Sequence, residues 1–120
     1  MLTAAKALTA LILLLHVYIV LLETILFDAR GRKVFGLSKE KAEIVRAAMS
    51  NQGCYNGFLV AALALGMFLP DATVAQAFTL YGLGCIAVAG IWGAATVKTS
   101  ILYIQTVPAV LALLLFYFAR

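Results

Sequence analysis

Apolar residues are gathered into four long runs, roughly 7–27, 51–69, 77–97 and 101–119. Each is close to the ~20 residues that a helix needs to cross the hydrocarbon core of a bilayer. Helix is the state such a run adopts in lipid, because a lone strand leaves its backbone N–H and C=O groups without partners. Composition argues against the soluble alternative. Of the 120 residues, 65% are hydrophobic and 12% charged, which is more apolar surface than one small domain can cover. The expected fold is all-α: a single integral membrane domain over 1–120, built as a four-transmembrane-helix bundle.

The connections between the runs differ in kind. Residues 28–50 form a long charged segment. "PDATVAQ", residues 70–76, makes a tight turn with Pro70 as a helix stop and Asp71 or Thr73 as the next N-cap. "KTS", residues 98–100, is a very short join. Within the long segment, "GLSKEKAEIVRAAM" offers Ser38 as an N-cap and Glu40 in the first turn. Ala42, Val45 and Met49 line one face of the helix that follows, and Lys39, Glu43 and Arg46 another. This predicts a short amphipathic helix on the membrane surface that runs straight into the second span. The first run is read as a retained helix and not a signal peptide, since it is too long and "ETILFDARGR" has no small-x-small cleavage pattern.

Placement of charge matters more than the formal net +4. With an even number of spans both termini share a side, which carries only Lys6 and Arg120. The opposite side carries Arg30, Arg32, Lys33, Lys39, Lys41, Arg46 and Lys98. Basic residues are retained in the cytoplasm, so segment 28–50 and the 98–100 join are expected inside and both termini outside.

On that topology the polar side chains sort by depth. Glu23 lies about four residues, or ~6 Å, from the cytoplasmic end of the first span. His16 lies seven residues earlier on the same face, and Thr9 continues that face upward. The second span begins at the cytoplasmic side with Asn51, Gln52, Tyr55 and Asn56. The third ends there with Trp92, Thr96 and Lys98, and the fourth begins there with Tyr103 and Gln105. Polar groups that lipid cannot satisfy, gathered at one level, predict a polar pocket in the cytoplasmic half of the bundle. Its candidate ligand-binding residues are His16, Glu23, Asn51, Gln52, Tyr55, Asn56, Trp92, Thr96 and Gln105. Asn56 and Gln105 also suit interhelical hydrogen bonding, and Trp92 an interfacial belt.

Small residues at four-residue spacing (Gly53, Gly57 and Ala61; Cys85, Ala89 and Gly93; Gly90 and Ala94) are expected to be helix contacts. Pro108 is expected to kink the fourth span and free a carbonyl near Gln105. One histidine and the two cysteines, Cys54 and Cys85, make neither a metal-ligand set nor a disulfide framework. No metal, cofactor or nucleic-acid partner is expected.

"HVYIVLLE", "NQGCYNGFLVA", "GIWGAATVK" and "QTVPAVLAL" follow one another in this order over almost the whole chain. Together they resemble the small bacterial membrane proteins collected as domain of unknown function 1304. The resemblance implies a four-helix inner-membrane protein and implies no activity. From the residues, three classes compete. The first binds or carries a small or lipid-like molecule in the cytoplasm-facing pocket. The second is a proton-coupled exporter using Glu23. The third is a membrane-embedded isomerase with His16 and Glu23 as acid and base. The first fits the mixture of ionisable, amide and aromatic side chains. Membrane lipid and such a ligand are the expected partners, and homo-oligomerisation is left open.

The charge count makes a direct forecast. A reporter fused after Arg120 reads as external, and a cytoplasmic reading would reverse the assignment of the polar half.

Overall fold

The computed structural model describes residues 1–120. The chain is all helical, without a strand. In order it forms α1 (Leu2–Glu23), a π-turn (Phe27–Gly31), α2 (Arg32–Val34), α3 (Lys39–Phe68), α4 (Ala72–Thr96), a second π-turn (Leu102–Thr106) and α5 (Val107–Phe118). α1 and α4 are long and apolar enough to cross a membrane. The other two expected spans take a different form. The second lies within the 30-residue α3, whose middle carries the polar "NQGCYN". The fourth is divided by its π-turn, leaving a 12-residue α5.

Local chemistry explains most element boundaries. Ser38 Oγ accepts the N–H of Lys41 at 3.1 Å and caps α3. Asp71 Oδ1 accepts the N–H of Val74 at 2.9 Å and caps α4, one residue after Pro70. α2 ends at Gly36, the one residue with positive φ (69°). There Leu37 N–H bonds Arg32 C=O and Gly36 N–H bonds Lys33 C=O, the paired closure of a helix C-terminus that glycine permits. As expected, the helix capped by Ser38 runs straight on into the second apolar run: α3 passes through residue 50 without interruption. α1 starts earlier than expected and stops at Glu23, because the chain turns there through Leu26 N–H to Leu21 C=O.

The chain divides into two compact units. One comprises residues 1–13 and 59–120. Its core packs Ile12, Leu63, Leu83, Ile86 and Phe116 with small alanines between them. The helices approach most closely where glycine faces threonine. A Cβ on Gly66 would overlap Thr79 Oγ1 and lie 2.8 Å from the Thr79 nitrogen. A Cβ on Gly90 would overlap Thr106 Oγ1 and lie 2.8 Å from the Thr106 nitrogen. Thr106 is carried inward by the π-turn, where Val107 N–H bonds Leu102 C=O just before Pro108, a residue with no N–H to give. Its Oγ1 then donates across the helix pair to Ala87 C=O at 2.9 Å.

The other unit comprises residues 14–58. Phe27, Leu22 and Ala42 are buried within it. Arg46 ties its segments together, donating to Asp28 at 2.6 Å and Glu43 at 2.9 Å with its guanidinium over the Phe27 ring. Arg46 therefore sits at the edge of the inner face and not opposite it. These ion pairs are largely exposed and add little to stability; their role is to set where the turn lies.

The four-residue small motifs hold in part. Gly53, Gly90 and Gly93 meet a neighbouring element closely. Gly57 has nothing within 4 Å of an added Cβ, and Ala61 and Ala89 are exposed. The buried lines run through Gly53 and Asn56 in one unit, and through Gly82, Ile86 and Gly90 in the other.

This contrast is measurable by thermal unfolding in detergent. Gly66→Ala and Gly90→Ala each lower stability by ~1–3 kcal/mol through overpacking. Gly57→Ala and Gly84→Ala, with open space at the new methyl, raise it by up to ~1 kcal/mol through helix propensity. Four variants behaving alike would remove the claim of close approach.

Candidate functional site

Three polar residues one heptad apart mark a single face of α1. Thr9 is 1% exposed, His16 0% and Glu23 7%. Seven residues are nearly two turns, so the three side chains leave the helix in nearly the same direction. Thr9 satisfies its hydroxyl locally, donating to Ala5 C=O at 2.8 Å. That back-bond lets a hydroxyl sit in an apolar layer. A carboxylate has no such local solution and needs a donor from another element.

For Glu23 that donor is Asn56. After α1 the chain folds back on the helix it has just left: a Cβ on Gly31 would overlap the Leu22 carbonyl. α3 then lies against the last turn of α1 at Gly53, where an added Cβ would come within 3.2 Å of Glu23 Cβ and still closer to the Thr24 methyl. Asn56 is three residues further along α3, on the same face. Its Nδ2 donates to Glu23 Oε2 at 2.8 Å, with Asn56 itself 6% exposed. An ionised carboxylate only accepts, so the amide must turn its NH₂ toward it. That bond engages one of the two carboxylate oxygens. Thr24 donates to Val20 C=O at 2.6 Å and is otherwise engaged.

The remaining candidates are distributed differently. Asn51, Gln52 and Tyr55 are exposed on α3, off the line through Gly53 and Asn56. Tyr55 packs edge-on against Phe58, with ring centroids 5.7 Å apart. Trp92 is 72% exposed, and exposed Thr96 returns its hydroxyl to Trp92 C=O at 2.7 Å. Gln105 is half-buried in the second π-turn, but the fully inward polar group there is its neighbour Thr106. Reading that segment as a regular helix selects the wrong residue, since a π-turn adds one residue and rotates the face. The opposition of Gly90 and Thr106 was the available signal. Cys54 and Cys85 are free thiols.

A cavity of about 550 Å³ lies within the unit of residues 1–13 and 59–120. It is bounded by the first turns of α1 and α4, the 66–70 stretch and the end of α5, and none of the nine candidate residues lines it. Its polar side chains, Lys6, Thr9, Gln76, Thr79 and Arg120, were not selected from the sequence as a group.

A family model described as "Protein of unknown function (DUF1304)" matches residues 10–117, which takes in α1 from its third turn and nearly all of α5. No curated protein and no solved structure matches the chain.

The pair of Glu23 and Asn56 is testable as a coupled unit. Asn56→Ala leaves a buried carboxylate without its donor and costs ~1–3 kcal/mol. Glu23→Gln costs less than ~1 kcal/mol, because an amide oxygen still accepts from Asn56. The double variant is cheaper than the sum of Glu23→Ala and Asn56→Ala by ~0.5–3 kcal/mol. Additive effects in that cycle, measured by unfolding in detergent, would show that the bond is not formed.

Proposed function

We propose, for a chain that belongs to the DUF1304 family, that it is a four-span inner-membrane protein binding a small or lipid-like molecule at the buried carboxylate–carboxamide pair of Glu23 and Asn56. Large apolar residues that face outward along every long helix support the membrane setting. They include Leu11, Leu14, Phe58, Val88, Trp92 and Phe118, and outward surface of this kind needs lipid or a partner to cover it. Both termini lie outside, and the charged start of α3 lies on the cytoplasmic surface, as the basic residues require.

The Glu23–Asn56 hydrogen bond is the observation on which the reading rests. An ionisable side chain inside a membrane segment is costly to keep, by ~2.5–3.5 kcal/mol at mid-membrane on insertion scales and less near the interface. Here one carboxylate oxygen accepts from Asn56, and the second has capacity to accept from a ligand that offers hydrogen-bond donors, such as a hydroxyl or an amine. His16 is buried two turns away on the same face.

The test compares the wild type with Glu23→Gln, Asn56→Ala and His16→Asn, all purified from membranes in one detergent. Small molecules that remain bound are identified by mass spectrometry. The wild type retains a molecule with a donor head group that the Glu23 and Asn56 variants lose at equal monodispersity. His16→Asn retains less of it. Identical bound molecules in all four proteins, with altered thermal stability alone, would assign these residues to structure.

A further inference from the structure

The cavity of about 550 Å³ falls in the size range of small-molecule sites. Its lining is divided by chemistry. Leu2, Met67, Leu69 and Phe116 form apolar wall, while Lys6 and Arg120 bring two cationic groups. Thr9 and Thr79 also line it, but their hydroxyl protons are committed to Ala5 C=O and Ala75 C=O. The donors left to face a ligand are therefore the Lys6 ammonium, the Arg120 guanidinium and the Gln76 amide. No acidic residue is in the lining. Asp71, between the lining residues Pro70 and Ala72, is engaged with the N–H of Val74. A cavity lined by two basic residues and an apolar wall, with no acidic side chain in the lining, is complementary to an anionic amphiphile.

We infer that this cavity binds an anionic phospholipid, with Lys6 and Arg120 on the phosphate and the first part of the acyl chain against Leu2, Met67 and Phe116. Guanidinium meets phosphate oxygens through paired N–H donors, and ammonium meets them as a point charge. Gly66 and Thr79 both line the cavity at their close approach. That contact keeps α3 and α4 together along the wall, so the cavity does not close by a shift of these helices. The site shares no residue with the Glu23–Asn56 pair and stands or falls without it.

The experiment titrates the detergent-purified full chain with phosphatidylglycerol or with phosphatidylcholine of the same acyl chains, and reads bound lipid by native mass spectrometry. Phosphatidylglycerol is retained about tenfold more tightly, in line with the attraction of basic side chains to anionic lipid. The double substitution Lys6→Gln/Arg120→Gln abolishes that preference, while Lys33→Gln/Lys39→Gln, which removes two exposed charges elsewhere, preserves it. Millimolar inorganic phosphate leaves the lipid bound. The proposal is overturned if the two lipids bind the wild type equally. It is also overturned if the preference survives loss of Lys6 and Arg120 or is lost with Lys33 and Lys39, or if phosphate alone displaces the lipid.

Discussion

Backbone approach at glycine is the contact on which the other features are built. Where a helix presents a hydrogen in place of a methyl, a neighbouring helix comes near enough for side chains beside the contact to reach across. Gly53 does this in the unit of residues 14–58, and Asn56 there reaches Glu23. Gly90 does it in the other unit, and Thr106 there reaches the carbonyl of Ala87. In hydrocarbon the gain from packing apolar side chains against each other is small, because lipid tails are as apolar as leucine. Close backbones and the polar bonds they permit are then what holds helices in one arrangement.

The same constraint explains how each buried polar group is handled. Threonine hydroxyls fold back on their own helix: Thr9 to Ala5, Thr79 to Ala75 and Thr24 to Val20. Those bonds need no partner helix and carry no information about one. Glu23 and Thr106 are the cases resolved between helices, and each stands beside a glycine contact. A carboxylate in that position is held through one of its two oxygens.

The two sites proposed above differ in chemistry. On the proposed reading the Glu23–Asn56 pair takes a ligand with donors, and the cavity lined by Lys6 and Arg120 takes an anion. The proposed membrane setting connects them, since outward apolar surface of this kind needs lipid or a partner to cover it.

Much of the secondary structure was legible in the residues alone. The caps at Ser38 and Asp71, the stop at Pro70 and the shared face of Thr9, His16 and Glu23 depend on neighbours within a few residues, so a linear reading reaches them. Which member of "NQGCYN" points inward was not legible. All six positions are polar or small, and only the side on which α1 lies selects Gly53 and Asn56 over Asn51, Gln52 and Tyr55. The second π-turn shifted the inward position from Gln105 to Thr106 by adding one residue to the turn. The cavity joins Lys6 to Arg120, which no local pattern connects. Helical state, caps and the spacing of polar groups along a helix were determined by the sequence, because backbone hydrogen bonding and capping act over one turn. The rotational phase of each helix against its neighbour was decided by the tertiary structure, because it depends on where two distant backbones can touch.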